Sequence, residues 1–389
     1  MIISGLSGVF DGYEWHQGPL SVEIKQNKIE DIRNFDEKGD LHLENQFLSA
    51  PFVDGHTHLI FAGDRSFELP LKIAGRSYAE ILESGGGIHR TVKATREASY
   101  DGLKELVLSR LKTMLQHGSM YVEAKSGYGL TAQHELRLLE ILKSANEESA
   151  VNIVPTYCGA HALPSEISRD DYVDEVISLL PEILKQKLAT SNDVFCDRGA
   201  FTVDETRKIM DECKHLKFPV KVHADELTYT GIGKIAAEEY SAWSADHLLL
   251  ANEVDFTAIA QNNTTAMFMP AATIGLFTSQ TPSGWKNKGL NIGLGSDFNP
   301  NNMVYSMQTA IRLAVYLYRM DPFQAFKAGT SGSYKGIFGK SMLKLGVSSI
   351  ADFIIIQAKS IPEFTTRIDQ NLVSYVFKDG KPIFENLNI

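Results

Sequence analysis

In the stretch Phe52-Val53-Asp54-Gly55-His56-Thr57-His58, a short apolar run ends in two histidines separated by one residue. Residues two apart on a β-strand point to the same face of the sheet. Both imidazoles would therefore leave the end of such a strand side by side, close enough to share one metal ion. Because histidine is the commonest metal ligand but also a common surface residue, the pair predicts a metal site only if further ligands converge on it.

The middle of the chain alternates strand-like and helix-like segments. Ser99, Thr131 and Thr202 are typical helix caps, and Thr202 opens a Thr-x-x-Glu capping box. Counting from Phe52 there are eight strand-like segments, of which the later seven span residues 120–124, 151–158, 193–196, 220–223, 244–247, 264–269 and 291–297. This alternation predicts an α/β fold with a (β/α)8 TIM-like barrel.

Both ends of the chain are rich in strand signals instead. Val22-Glu23-Ile24 alternates as a strand should, and Asp379-Gly380 is typical of a hairpin turn. We therefore predict a small β-sandwich domain built from both termini, residues 1–50 plus 345–389, beside a barrel at residues 51–344.

Polar side chains cluster where the predicted barrel strands end. They are His56, His58, His161, His223, His247 and Asp297. The carboxyl ends of barrel strands form one face, which carries the active site, so these residues are expected to converge.

Three of these imidazoles and one carboxylate make a plausible site for one divalent ion. The predicted ligands are His56, His58, His223 and Asp297. Such an ion lowers the pKa of a bound water toward neutrality. Asp297, Glu226 and His247 are the candidate groups for proton transfer.

Composition excludes several other classes of protein. The 389 residues carry a net charge of −10, which disfavours nucleic-acid and anionic-membrane partners. Cys158, Cys196 and Cys213 are far apart and form neither a disulfide framework nor a CxxC site, which fits a reducing cytoplasm. The N-terminus lacks the pattern of a signal peptide, and we expect no membrane-spanning segment.

The ligand pattern resembles the amidohydrolase superfamily, with HxH on strand one, histidines on strands five and six, and an aspartate on strand eight. Further motifs in the same order resemble the imidazolonepropionase family across essentially the whole chain. They are 56–65 (HTHLIFAGDR), 85–88 (GGGI), 123–130 (EAKSGYGL), 159–162 (GAHA) and 223–226 (HADE). The resemblance implies hydrolysis of 4-imidazolone-5-propanoate to N-formimidoyl-L-glutamate in histidine degradation.

The resemblance also implies residue roles. Zinc or iron would be held by the four ligands above, Arg65 would pair with the substrate's propionate, and the chain would form a homodimer. The other residues implied to contact substrate are Tyr128, His161, Glu226, Asn299, Asn301 and Asn302, with His247 nearby. The segment Asn301-Asn302 departs from the glycine and hydroxyl residue usual in the family.

One ion, rather than two, is expected at this centre. Binuclear superfamily members carry a bridging lysine or acidic residue at the end of strand four, and here that strand ends in Phe195-Cys196-Asp197. The absence of a lysine favours one ion, although Asp197 leaves the alternative open.

Two other functions fit parts of the pattern. A related mononuclear deaminase of a cytosine-like or guanine-like ring would share the metal and base chemistry but would release ammonia. A barrel kept only as an interaction protein would be expected to have lost ligands, and here all four are present.

Overall fold

The two ends of the chain meet in one mixed β-sheet, as seen in a computed structural model that describes residues 1–34, 38–76, 78–339 and 343–387. In chain order the strands are β1 (Ile2–Phe10), β2 (Trp15–Lys25), β3 (Lys28–Arg33), β4 (Leu41–His42), β5 (Phe47–Ser49), β6 (Phe52–Asp54), β7 (Ser119–Lys125), β8 (Asn152–Ala160), β9 (Ser191–Cys196), β10 (Val220–Ala224), β11 (Ser244–His247), β12 (Thr265–Phe268), β13 (Asn291–Leu294), β14 (Phe353–Ile356), β15 (Val373–Lys378) and β16 (Lys381–Glu385). Strands β1–β5 and β14–β16 form the terminal sheet.

The terminal strands confirm a β structure shared by both ends of the chain. They are connected through one continuous path of hydrogen-bonded strands, because β5 pairs with β1 on one side and with β14 on the other. The predicted hairpin is present: Asp379 and Gly380 both have positive φ, 51° and 73°, between β15 and β16.

Strands β6–β13 form the predicted eight-stranded parallel barrel. The first and last strands close it through backbone hydrogen bonds: Gly55 N–H donates to the Leu294 carbonyl at 3.1 Å, and Asp297 N–H donates to the His56 carbonyl at 3.0 Å. A further bridge pairs Thr57 with Phe298. Closure therefore brings the two histidines after β6 next to the aspartate after β13.

The helices lie mainly between the barrel strands. They are α1 (Glu68–Ile73), α2 (Tyr78–Glu83), α3 (Ile88–Glu97), α4 (Tyr100–Gln116), α5 (Ala132–Glu148), α6 (Arg169–Gln186), α7 (Val203–Leu216), α8 (Ile232–Tyr240), α9 (Glu253–Gln261), α10 (Pro270–Gly275), α11 (Met307–Tyr318), α12 (Pro322–Lys327), α13 (Ser333–Phe338) and α14 (Ile361–Thr366), with a π-helical turn at Ala328–Gly332. In the described part of the chain, none of them is both long and apolar enough to cross a bilayer.

Three helix starts follow the predicted caps, whereas other helices were not predicted from the sequence. The hydroxyls of Ser99, Thr131 and Thr202 each accept a backbone N–H, and Thr202 forms its capping box with Glu205. Helix α3 was not predicted. Its N-cap is Gly87, which has no side chain to signal a helix start.

One aromatic cluster joins the terminal sheet to the barrel. The ring of Phe326 lies 5.1 Å from that of Phe10 and 5.8 Å from that of Phe47, both in the terminal sheet. It also lies 5.5 Å from the ring of Phe52, in the first barrel strand, and 5.2 Å from that of Phe364. The two sheets thus share a core around one side chain.

Replacing Phe326 with alanine should lower the free energy of unfolding by about 3 to 5 kcal/mol, because it leaves a cavity in this shared core. Phe323, on the same helix, is 40% exposed, and Phe323→Ala should change it by no more than about 0.5 kcal/mol. Urea unfolding of both variants makes the comparison. Equal losses would show that Phe326 does not join the two sheets energetically.

Candidate active site

Four potential metal ligands meet at the carboxyl end of the barrel. The Nε2 atoms of His58 and His223 are 3.3 Å apart. Asp297 Oδ1 lies 3.7 Å from His56 Nε2 and 3.9 Å from His58 Nε2. Ligand atoms about 2.0–2.1 Å from a tetrahedral ion stand roughly 3.4 Å from one another, so the spacing fits a single ion.

The state of His56 also fits a metal ligand. Its side chain is completely buried, and within the described ranges its Nε2 atom has no hydrogen-bond partner. An unpaired buried nitrogen is costly unless something binds it. On the other side of the ring, Nδ1 lies 2.6 Å from Asp246 Oδ2. With the proton on Nδ1, the Nε2 lone pair faces the other three ligands.

His223 is oriented in the same way. Its Nδ1 atom lies 3.0 Å from Asp193 Oδ1, and its Nε2 atom faces His58. Asp193 and Asp246 were not singled out in the sequence. The available signal was their position inside predicted barrel strands, where a carboxylate must have a partner.

Beneath the histidines, five buried charged side chains form one network. Lys125 Nζ lies 2.9 Å from Glu123 Oε2 and 3.4 Å from Asp246 Oδ2, and it also binds Asp193. Lys221 Nζ lies 2.5 Å from Glu123 Oε1. Each of the two buried ammonium groups thus has a carboxylate partner.

These contacts keep Lys125 and Asp193 charged. Burial alone would lower the pKa of the Lys125 ammonium, but Asp193, Glu123 and Asp246 together raise it well above its ordinary value. Burial would likewise raise the pKa of Asp193, but His223, Lys125 and Lys221 hold it well below the usual range. Lys125 and Asp193 therefore form a buried ion pair.

A cavity of about 190 Å³ opens above the four ligands. It is lined by His58, Arg65, Ile88, Tyr128, His161, Phe195, His223, Glu226, Leu227, His247, Leu276, Asp297, Asn299 and Asn301. Among the residues predicted to contact substrate, Asn302 does not line it. The Asn302 amide instead donates to the carbonyls of Ser296 and Asp297, at 2.9 and 3.1 Å.

Arg65 enters the cavity from a buried position rather than from the surface. Its Nε and Nη2 atoms donate to the two carboxylate oxygens of Glu68, at 2.7 and 2.9 Å. Glu68 also accepts the Gly87 N–H at 2.8 Å. A Cβ atom on Gly86 would lie 2.9 Å from Glu68 Oε1, so a glycine permits this approach. Glu68 was missed, although its i,i+3 spacing from Arg65 was a usable signal.

Tyr128 and His161 form one wall. The His161 ring stacks on that of His58 with centroids 4.4 Å apart, and the Tyr128 ring lies 5.2 Å from that of His161. His161 Nδ1 donates to the Gly127 carbonyl at 3.0 Å. Burial lowers the pKa of His161 to about 3, so this imidazole is neutral.

Glu226 and His247 face each other across the cavity, with Glu226 Oε1 3.5 Å from His247 Nδ1. Burial, followed by the charges of Asp297 and Asp197, raises the pKa of Glu226 well above that of an ordinary glutamate. A carboxyl group with a raised pKa keeps its proton to higher pH than an ordinary glutamate does.

Two of these residues have unusual backbone conformations. His247 and Asp297 lie in the left-handed region, with φ of 70° and 50°. Non-glycine residues seldom adopt it, and such conformations tend to occur at functional sites.

Geometry thus defines an α/β barrel with a candidate metal centre under a small polar cavity. The model of the amidohydrolase family matches residues 47–383. A curated imidazolonepropionase from Haloarcula marismortui is 36% identical to this chain, over 87% of this chain and 81% of the relative. Another, from Parabacteroides distasonis, is 34% identical, over 98% of this chain and 91% of the relative. The chain belongs to the amidohydrolase family and, within it, to the imidazolonepropionase family.

Solved structures share the fold at lower identity. A 5-methylcytosine deaminase from Klebsiella pneumoniae superposes with a TM-score of 0.79 at 15% identity, over 99% of this chain and 98% of that one. An atrazine chlorohydrolase from Arthrobacter aurescens, complexed with zinc, has a TM-score of 0.71 at 13% identity, over 99% and 95%. At these identities the likeness is one of fold.

Proposed function

We propose that this protein hydrolyses the cyclic amide C–N bond of 4-imidazolone-5-propanoate, giving N-formimidoyl-L-glutamate in histidine degradation. The observation that carries the proposal is the cavity itself, which joins the histidine–aspartate cluster to the buried guanidinium of Arg65. The relatives named imidazolonepropionase support the same assignment.

In this proposal one divalent ion, zinc or iron, is held by His56, His58, His223 and Asp297. The orphaned Nε2 of His56 and the spacing of the four ligands support it. When bound, such an ion lowers the pKa of a water and polarises a carbonyl group. The Asp197 carboxylate accepts hydrogen bonds from the N–H groups of Leu227 and Thr228. Because it is engaged in this way, we favour one ion over two.

Residues that line the cavity orient the substrate. Arg65 Nε and Nη2 bind Glu68, and within the described part of the chain Nη1 is available for a second carboxylate, the substrate's propionate. Tyr128 and His161 hydrogen-bond the ring, while Asn299 and Asn301 border it. Asn302 contributes indirectly, because its amide donates to the carbonyls of Ser296 and Asp297 and so fixes the loop after β13.

Proton transfer falls to Glu226, His247 and Asp297. Water adds to the ring carbonyl carbon, the C–N bond breaks, and the departing ring nitrogen takes up a proton. Glu226, whose pKa is raised by burial, can carry the proton from the water to that nitrogen. His247 Nδ1 lies 3.5 Å from Glu226 Oε1, close enough to take part in this transfer.

The wider assignments follow from the family. In this proposal residues 51–344 carry the chemistry, residues 1–50 plus 345–389 form the small β domain, and the protein acts as a homodimer in the cytoplasm. Three buried, unpaired cysteines are compatible with a reducing compartment.

The proposal is tested by the ultraviolet absorbance of freshly prepared 4-imidazolone-5-propanoate. Purified protein should abolish this absorbance, chelation should stop the reaction, and added zinc or iron should restore it. No loss with folded, metal-loaded protein would refute the proposal. Release of ammonia from a cytosine-like or guanine-like ring would instead identify a deaminase.

Arg65→Ala should raise KM by roughly 30-fold or more, the effect of removing one partner of a buried charge pair, with little change in metal content. Arg76→Ala, at an exposed position, is the matched control. The double variant Arg65→Ala/Glu68→Gln removes the stranded carboxylate as well. An unchanged KM in both Arg65 variants would refute propionate binding by Arg65.

Glu226→Gln should lower kcat by about 10²- to 10⁴-fold, the usual contribution of a proton-transfer group. Bound metal, measured by elemental analysis, should stay the same because Glu226 is not among the four ligands. Glu97→Gln, an exposed glutamate far from the cavity, should leave kcat as it is. A kcat within threefold of wild type would remove Glu226 from the reaction.

A further inference from the structure

Lys125 touches the carboxylates behind two different metal-ligand histidines. Asp246, 3.4 Å from Lys125 Nζ, holds His56. Asp193, which Lys125 also binds, holds His223. One ammonium group therefore connects a ligand that follows β6 with a ligand in β10.

Lys221, in the same network, has a different reach. Its Nζ atom binds Glu123 at 2.5 Å and the Gly55 carbonyl at 3.3 Å, and it lies 3.8 Å from Asp246. Among the described residues, the carboxylates within 4.0 Å of this ammonium group are those of Glu123 and Asp246. Both lysines are buried and positively charged, but only Lys125 forms direct ion pairs with both Asp193 and Asp246.

The net charge of the buried network can be compared with the charge of the proposed metal ion. With every group ionised, two ammonium groups and the carboxylates of Glu123, Asp193 and Asp246 carry one net negative charge, and Asp297 adds a second. A single divalent cation would neutralise these six groups. Such balance matters because buried uncompensated charge is costly.

We propose that Lys125 is a positioning residue of the metal centre, which fixes Asp193 and Asp246 so that His56 and His223 present Nε2 to the same ion. This inference rests on the proposed metal site. Partners behind ligand histidines typically change metal affinity about 10- to 100-fold when they are removed. A residue that fixes two such partners is expected to act in that range.

The test is zinc affinity, measured by competition with a chelator on the full-length protein. Lys125→Met keeps the length of the side chain and removes its charge, and it should weaken zinc binding about 10- to 100-fold. Lys221→Met makes the same chemical change at a lysine whose ion pairs are with Glu123 and Asp246, and it should weaken binding less than tenfold. Equal losses in the two variants would overturn the proposal.

A second variant separates positioning from charge balance. Lys125→Met/Glu123→Gln removes one positive and one negative charge but keeps Asp193 and Asp246. If Lys125 positions the carboxylates, the double variant folds and still binds zinc at least tenfold more weakly than wild type. Affinity restored to the wild-type value would show that Lys125 only balances charge.

The remaining outcomes are also decisive. Unchanged affinity in folded Lys125→Met would overturn the inference, and so would a charge-balanced double variant that fails to fold, since Lys125 would then serve the fold. Wild-type protein that binds no zinc or iron would instead refute the proposed metal centre itself. The two failures are therefore distinguishable.

Discussion

Five charged side chains lie in the interior of the barrel, and each depends on the others to be there. A buried ammonium or carboxylate is tolerated only when it is paired, so the strands must adopt the register that brings the partners to one level. That register sets Lys221 of β10 opposite Asp193 of β9. His223 follows Lys221 by two residues and so points to the same side. The strand register that allows these charges to be buried therefore also sets the level in the barrel at which His223 lies.

Barrel closure imposes a second constraint at the same place. Gly295 lies so close to His56 that an added Cβ atom would be 2.5 Å from the Cβ of the histidine, and one on Gly55 would be 3.0 Å from the Leu294 carbonyl. Small residues on both sides let the first and last strands approach. Asp297 then turns into the left-handed region, with φ of 50°, and reaches His56 from the other end of the barrel sequence. Local backbone geometry and long-range closure therefore produce the candidate site together.

Much of this arrangement could be predicted from the sequence, and the rest fails for identifiable reasons. The barrel and its polar strand ends were predictable because alternating segments and the strand-end rule depend on local pattern alone. The partners of Lys125 were not, because Asp193 and Asp246 lie 68 and 121 residues away and register is set by the folded barrel. Asp197 was left open as a possible bridging group, and in the structure its carboxylate is taken up by loop N–H groups. Helix α3 lacked a cap signal, and the β5–β14 pairing in the terminal sheet joins opposite ends of the chain.

The histidines of the site have the same side chain, but they differ in which group lies next to the Nδ1 atom of each ring. His56 and His223 face carboxylates, which raise the electron density of the ring and suit the role of ligand proposed for them. His161 faces a backbone carbonyl and stays neutral, with a pKa of about 3 set by burial, which suits a hydrogen-bonding wall. His247 has Glu226 at 3.5 Å and a backbone in the left-handed region, which suits the proton-transfer role proposed for it. The barrel thus gives each ring a different neighbour, and the roles proposed for the histidines differ accordingly.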